Sequence, residues 1–172
     1  MNILEGIRKS KKNSKQLLVE IATAIKKDPK LIEQIKEGLK KGSKTEKGIL
    51  MESLEYVTKD DPAIVEKLLN TITDFINYKD SPRVRWEAAR IIANVSAKYP
   101  KEAGKVVDKL FLNTNDKGTV VRWSAAYALG KIARYNLNSR TNLVPKIEAF
   151  LKKEQNSGVK NVYLKALMAI SK

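Results

Sequence analysis

The motif Val-Arg-Trp-Glu-Ala-Ala at residues 84–89 returns 37 residues later, at residues 121–126, as Val-Arg-Trp-Ser-Ala-Ala. A third and weaker copy begins 38 residues further on at Val159, with Lys160 in the place of the arginine. Self-similarity at a fixed period of this length is typical of repeat proteins, in which each repeat is one supersecondary unit. The sequence therefore predicts a chain built from repeats.

Apolar residues follow a helical period inside each repeat. Val121, Ala125, Leu129 and Ile132 recur every three or four residues, which places them on one face of a helix. No stretch alternates with the period of two that a half-buried strand shows. Segments such as residues 60–62, which end in proline, separate the helices because proline is tolerated at a helix start but prevents the preceding helix from continuing. The pattern predicts nine or ten helices in antiparallel pairs.

The helix pairs, their period and the Val-Arg-x-x-Ala-Ala-x-x-Leu pattern resemble HEAT repeats of the armadillo-like α-solenoid class. The resemblance implies an all-α fold, a right-handed α-solenoid of about five antiparallel helix pairs. It also implies a single HEAT-like repeat domain over residues 1–172. The repeats are weak in residues 1–61, where Lys47 replaces the arginine, and clearer in residues 62–99, 100–136 and 137–172.

The same resemblance implies a ladder in which an acid in the turn between paired helices meets the helix-start arginine of neighbouring units. Asp116 precedes Arg122 by six residues, and Glu154 precedes Lys160 by the same interval. A ladder of this kind is a structural explanation for the repeated basic position, since repeat proteins depend on the interfaces between neighbouring units.

Small residues recur inside the helical patterns. The paired alanines at residues 88–89 and 125–126 predict close helix approach. Gly38, Gly104 and Gly130 fit either tight packing or a local weakening of the helix. The Gly-Ser pair at residues 42–43 predicts a helix end followed by a helix cap.

Composition excludes several kinds of catalysis. The 172 residues contain no His and no Cys, so a Cys/His zinc site, a thiol nucleophile and a Ser-His-Asp triad are all excluded. No phosphate-loop, dinucleotide-binding or calcium-loop motif is present. The sequence predicts a protein that is not an enzyme and uses no cofactor or metal. It contains no signal-peptide pattern and no apolar run long enough for a membrane helix, which favours the cytoplasm.

Positive charge is concentrated near the C-terminus. The chain has 34 Lys+Arg against 19 Asp+Glu, a formal net charge of +15. Residues 116–172 hold 11 of the basic residues and three of the acidic ones, and therefore +8 of that charge. This excess favours an acidic or mixed partner.

A second row of residues lies beside the apolar face of the helices that carry the motif. In HEAT-like proteins the second helix of each pair lines the concave face, so the resemblance implies one groove there. The residues that we expect along it are Trp86, Arg90, Trp123, Tyr127, Lys131, Arg134 and Lys165. In the last unit the same row continues through Asn161, Met168 and Lys172. Tryptophan, tyrosine and arginine suit recognition, although both tryptophans would equally fill space between repeats.

These observations favour a non-catalytic binding or scaffold module that contacts a protein partner through a basic and aromatic concave face. Nucleic-acid binding through phosphates is the alternative. A HEAT-like DNA glycosylase is less favoured, because Arg90 and Tyr127 stand where a catalytic carboxylate would be expected. The last helix is apolar from Val159 to Ile170, which predicts a partly exposed flank or an oligomer contact there.

Overall fold

Helices make up 79% of the structure. The computed structural model describes residues 2–171 and contains no strand in that range. Within it, none of the helices is long and apolar enough to cross a membrane. The α-helices are α1 (Ile3–Lys9), α2 (Ser14–Lys27), α3 (Leu31–Lys41), α4 (Lys44–Thr58), α5 (Leu69–Asp74), α6 (Pro82–Val95), α7 (Pro100–Gly104), α8 (Val107–Asn113), α9 (Thr119–Tyr135), α10 (Leu137–Lys153) and α11 (Ser157–Ile170).

Short polar side chains start several of the helices. Asn13 and Ser43 each accept a hydrogen bond from a backbone N–H of the first turn, while Gln16 and Glu46 bond back to the cap residue. These reciprocal bonds satisfy N–H groups that have no partner inside the helix. Gly42 ends α3 directly before Ser43 starts α4, which confirms the predicted helix end and cap.

The second helices of the pairs stack in series. Helix α2 contacts α4, α4 contacts α6, α6 contacts α9, and α9 contacts α11. The first helices lie against their pair mates: α3 on α4, residues 62–74 on α6, α7 and α8 on α9, and α10 on α11. Helix α1 packs on α3. This arrangement confirms the predicted all-α solenoid of about five helix pairs.

In two of the helix pairs the first helix is interrupted, and the apolar periodicity does not predict these interruptions. Residues 62–74 begin as a 3₁₀ segment, Pro62–Leu68, before α5. Helices α7 and α8 separate after Gly104, where the amide of Asn136 from the next unit donates a 2.9 Å hydrogen bond to the Pro100 carbonyl. A Cβ on Gly104 would lie 2.5 Å from the Asn136 Nδ2. The glycine therefore leaves room for this bridge, and its low helix propensity favours the break.

Small residues allow the stacked helices to approach closely. Ala126 is fully buried within the single apolar cluster that extends from α1 to α11. A Cβ on Gly38 would lie 2.7 Å from a side-chain carbon of Leu50, and one on Gly130 would lie 2.5 Å from the Cβ of Ala166. Both distances are shorter than a normal carbon contact. Tight packing, rather than helix weakening alone, accounts for these two glycines.

The predicted ladder forms between successive units. Arg85 Nη1 lies 2.5 Å from Asp116 Oδ2, and Arg122 Nε lies 2.9 Å from Glu154 Oε2. Within its own unit, Arg122 donates to the backbone carbonyls of Asp116, at 2.9 Å, and Lys117, at 3.3 Å, and not to the Asp116 carboxylate. Each arginine thus reaches the acid of the following unit, 31 or 32 residues later. The ladder fastens neighbouring helix pairs to one another.

Lys47 occupies the arginine position of an earlier unit and has a different role. Its ammonium lies 5.7 Å from the ring centre of Phe75 and 5.2 Å from that of Tyr78. These are cation–π distances. At this junction Lys47 therefore faces an aromatic pair, whereas the arginines of the later units face an acid.

Candidate binding groove between α9 and α11

A groove of about 480 Å³ runs between α9 and α11, the last two stacked helices. Five of the seven residues expected on the concave face line it together: Trp123, Tyr127, Lys131, Arg134 and Lys165. Cavities of this size hold small molecules or a few side chains of a partner. The stacking of the last two units therefore gathers most of the expected residues into one site.

The groove owes its shape to small residues between the two helices. Gly130 and Ala166 both line it, and a Cβ on the glycine would overlap the alanine. Ala169 continues the apolar lining on α11. Met168, which the row also contains, is instead 64% exposed and does not line the groove. Lys172, the last member of that row, lies outside the described residues.

Aromatic rings form the α9 wall. Trp123 and Tyr127 stack with ring centres 5.4 Å apart and an interplanar angle of 22°. Both are partly exposed and both pack against the apolar core. Each ring therefore has an inner side that stabilises the fold and an outer part that remains accessible. Trp123 is therefore packed against the core on one side, and its outer part is available to a partner.

Three cations stand beside this wall without a carboxylate partner. Lys131, Arg134 and Lys165 form no ion pair within residues 2–171, and no Asp or Glu lines the groove. The Lys131 ammonium lies 5.5 Å from the ring centre of Tyr127, and the Arg134 guanidinium lies 5.3 Å from that of Tyr135. The groove therefore combines apolar surface with accessible positive charge.

Trp86 and Arg90 lie one unit upstream on α6 and do not line this groove. The indole N–H of Trp86 donates to Glu87 at 2.8 Å. Arg90 sits between two buried carboxylates, 3.0 Å from Glu87 and 2.9 Å from Glu55. The expectation of one continuous basic groove is corrected here, because Arg90 is already neutralised.

The buried glutamates were not found by sequence reasoning. Burial raises the pKa of Glu87, and this effect outweighs the opposing influence of Arg90 and Trp86. The available signal was an acid at residue 87, where the next copy of the motif has Ser124. Glu55 is 35 residues from Arg90 and gave no local signal, so only the stacking of α4 on α6 brings the two together.

The ladder also positions the groove. The carboxylate of Glu154, directly before α11, receives two hydrogen bonds from Arg122 on α9 and two from backbone N–H groups of Gln155 and Asn156. The hydrogen bonds from Arg122 are the main reason why the pKa of Glu154 lies below its ordinary value. This clamp holds the unit that carries one wall of the groove against the helix that carries the other.

The outer face of α11 is partly apolar. Leu164 is 45% exposed, and Met168 is exposed to a greater extent. At the corresponding positions of α9, Ala126 and Gly130 are buried, and Gly130 packs against Ala166 of α11. The partly exposed flank expected at this helix is therefore present.

Comparisons with known proteins agree with this architecture. The profile of a family described as the vitellogenin TPR domain matches residues 4–168. A designed armadillo repeat protein, YIII(Dq.V1)4CPAF in complex with the peptide (KR)4, has a TM-score of 0.72 at 17% identity, over 98% of this chain and 80% of its own. A computationally designed armadillo repeat protein for modular peptide recognition has a TM-score of 0.64 at 18% identity, over 92% and 78% of the two chains.

Both structural likenesses are at low identity and concern the fold alone. A search of curated protein sequences found no significant match. The family match covers nearly all of the chain, and the structural matches place it among armadillo- and HEAT-like solenoids. The chain belongs to the vitellogenin TPR domain family and has the fold of an armadillo- and HEAT-like helical-repeat solenoid.

Proposed function

We propose that this protein is a non-catalytic binding module that holds a segment of a protein partner in the α9–α11 groove. The observation that carries the proposal is the stacked pair Trp123 and Tyr127 beside three cations that have no acidic partner. Aromatic rings provide a large contact area, and unpaired cations provide directional attraction for carboxylates. The proposal takes residues 1–172 as one domain that acts in the cytoplasm.

The two structural neighbours support a peptide partner. One designed armadillo repeat protein was solved with the peptide (KR)4, and the other was designed for modular peptide recognition. A solenoid of this shape is therefore compatible with binding an extended segment. The charge differs here, because the groove is basic. The partner segment is accordingly acidic or mixed rather than basic.

Catalysis forms no part of the proposal. A glycosylase would need a carboxylate free to act beside the aromatic wall, and the groove is lined by none. Glu87 and Glu55, on the helices stacked upstream of α9, are buried and bound to Arg90. The available chemistry of the groove is recognition.

Nucleic-acid binding is the second candidate, favoured by the charge of +8 in residues 116–172. Bases stack on aromatic side chains while phosphates lie beside cations, which uses the same features of the groove. Affinity would then fall steeply with salt and would be reduced by charge reversal at Lys131 or Lys165. An absence of binding to single-stranded and duplex DNA and RNA at low salt would remove this candidate.

The proposed function is tested by photocross-linking in cells. Asn161 lines the groove and is exposed, so p-benzoylphenylalanine placed there would contact a bound partner. Lys67, exposed on the Pro62–Leu68 segment, provides the matched control position. We expect a protein adduct from position 161 that is absent at position 67 and is lost when Trp123→Ala is added.

Circular dichroism of the Trp123→Ala protein separates loss of binding from loss of folding. Lys165→Glu serves as a second variant, because its side chain is exposed and its replacement leaves the core intact. A nuclease-sensitive adduct at position 161 would favour the second candidate. No adduct there, or the same adduct at both positions, would contradict the proposed function.

A further inference from the structure

The groove is uneven along its length. Trp123 lies near the start of α9, and Lys131 and Arg134 follow it by eight and eleven residues. At a rise of 1.5 Å per residue, these positions lie about 12 and 16 Å along the helix axis from the tryptophan. On α11, Lys165 follows the uncharged Asn161 by four residues, or about 6 Å. The Lys131 ammonium reaches back to within 5.5 Å of the Tyr127 ring centre, so positive charge begins beside Tyr127 and continues to Arg134. The end formed by Trp123 and Asn161 is aromatic and uncharged.

The cationic end carries no acidic side chain of its own. Elsewhere along the stacked helices, partly buried arginines have acidic partners: Arg85 with Asp116, Arg122 with Glu154, and Arg90 with two glutamates. The three cations of the groove have none among the described residues. Arg134 and Lys165 are exposed and Lys131 is partly exposed, so a carboxylate of a partner can reach all three. Hydrogen bonds between charged groups are stronger than those between neutral groups.

From this polarity we infer the chemistry of the segment that the groove binds. We propose that it accepts a large apolar or aromatic side chain at the Trp123–Tyr127 end and an acidic side chain of the same segment at the Lys131–Arg134–Lys165 end. This inference rests on the proposed function and names the partner more closely. An extended chain rises about 3.3 Å per residue, so residues three apart are separated by about 10 Å. The roughly 12–16 Å between Trp123 and the Lys131–Arg134 pair therefore correspond to an apolar and an acidic residue about three to five positions apart.

Other kinds of segment fit less well. A basic segment would bring like charges together at the cationic end, where no groove carboxylate compensates. A purely acidic segment would leave the exposed parts of Trp123 and Tyr127 without an apolar partner. Single-stranded nucleic acid offers both stacking and negative charge, but repeats its phosphates evenly along the strand. The test therefore includes it as a competitor.

The experiment measures binding of short synthetic peptides by calorimetry and by the fluorescence of Trp123 in a Trp86→Phe protein. The parent peptide has about ten residues, with Phe and Glu three positions apart in a Gly-Ser background and both ends blocked. Three further peptides replace Phe by Ala, Glu by Gln, or Glu by Lys. We expect Phe→Ala and Glu→Gln each to weaken binding about tenfold, a change of about 1.4 kcal/mol, and Glu→Lys to abolish it.

Protein variants assign the effect to the groove. In a Lys131→Gln, Lys165→Gln protein, the parent peptide and its Glu→Gln form should bind equally, because the cations that recognise the carboxylate are gone. Lys67→Gln, on the Pro62–Leu68 segment, should retain the full preference.

Three outcomes would overturn the inference: no binding of the parent peptide at millimolar concentration, equal binding of all four peptides, or tighter binding of an oligothymidylate of about ten nucleotides. The photocross-linking experiment at position 161 tests the proposed function separately. If it yields a protein adduct while the peptides give one of these three outcomes, this inference fails and the proposed function does not.

Discussion

The clamp between Arg122 and Glu154 should contribute strongly to stability, and Glu154→Ala tests this. Glu154 is 7% exposed and Arg122 is 19% exposed. The substitution removes two hydrogen bonds from the guanidinium, at 2.9 and 3.2 Å, and two from backbone N–H groups at 3.0 and 2.8 Å. Removing one partner of a buried pair costs about 3–5 kcal/mol. Arg122 retains backbone carbonyls of Asp116 and Lys117 as acceptors, so we expect a loss of about 2–3 kcal/mol.

Urea unfolding followed by circular dichroism measures this loss. The control is Glu148→Ala, which removes an exposed acid of α10 that forms no ion pair in the described part of the chain, and should change stability by less than about 0.5 kcal/mol. Acid provides a second test. Because the pKa of Glu154 is lowered in the folded state, its contribution is complete above the ordinary value of 4.5 and is lost as the pH falls below it. The difference between the wild type and Glu154→Ala should therefore shrink in acid. Equal losses for the Glu154 and Glu148 variants at neutral pH would refute the clamp.

Three further predictions follow from other contacts. Glu87→Gln should gain stability relative to the wild type as the pH rises from about 4 to neutral. Burial raises the pKa of Glu87, so the wild type acquires a buried charge over this range and loses stability, while the glutamine does not. A difference in urea unfolding that stays constant with pH would contradict this. Gly130→Ala should destabilise the protein by about 1–2 kcal/mol in thermal unfolding, because its Cβ would lie 2.5 Å from the Cβ of Ala166 on α11. The control is Gly6→Ala, which has open space around it and should be neutral or stabilising by up to about 1 kcal/mol. If the exposed flank of α11 is an oligomer contact, sedimentation velocity should detect concentration-dependent association that Leu164→Glu with Met168→Glu removes, and a monomer at all concentrations would argue against that contact.

Local sequence signals were sufficient for the helical repeat architecture. The recurring motif at residues 84–89 and 121–126 predicts stacked helix pairs because each copy carries the same apolar spacing. The interruption after Gly104 was predictable only in part. The glycine indicated a weak point in the helix as one of two alternatives, but the hydrogen bond between Pro100 and Asn136, which are 36 residues apart, has no local signal.

The candidate site was predictable in part for a similar reason. Helical spacing on α9 brings Trp123, Tyr127, Lys131 and Arg134 to one side, and the repeat places Lys165 opposite them. Whether a cation in the row is free or paired depends on its neighbours along the helix and on residues from other units, since Arg90 meets Glu87 on its own helix and Glu55 on α4. For that reason a sequence pattern does not separate Arg90, which two buried glutamates neutralise, from the accessible lysines of the groove.

The central claim is that a protein segment binds against Trp123 in the α9–α11 groove. The most direct measurement replaces both tryptophans with 5-fluorotryptophan and follows their two fluorine NMR signals as the segment captured by the position-161 cross-link is added. The account predicts a saturable shift of the Trp123 signal, while the signal of Trp86, held by Glu87 one unit upstream, stays in place. A shift of the Trp86 signal alone, or no shift of either signal at saturating segment, would contradict it.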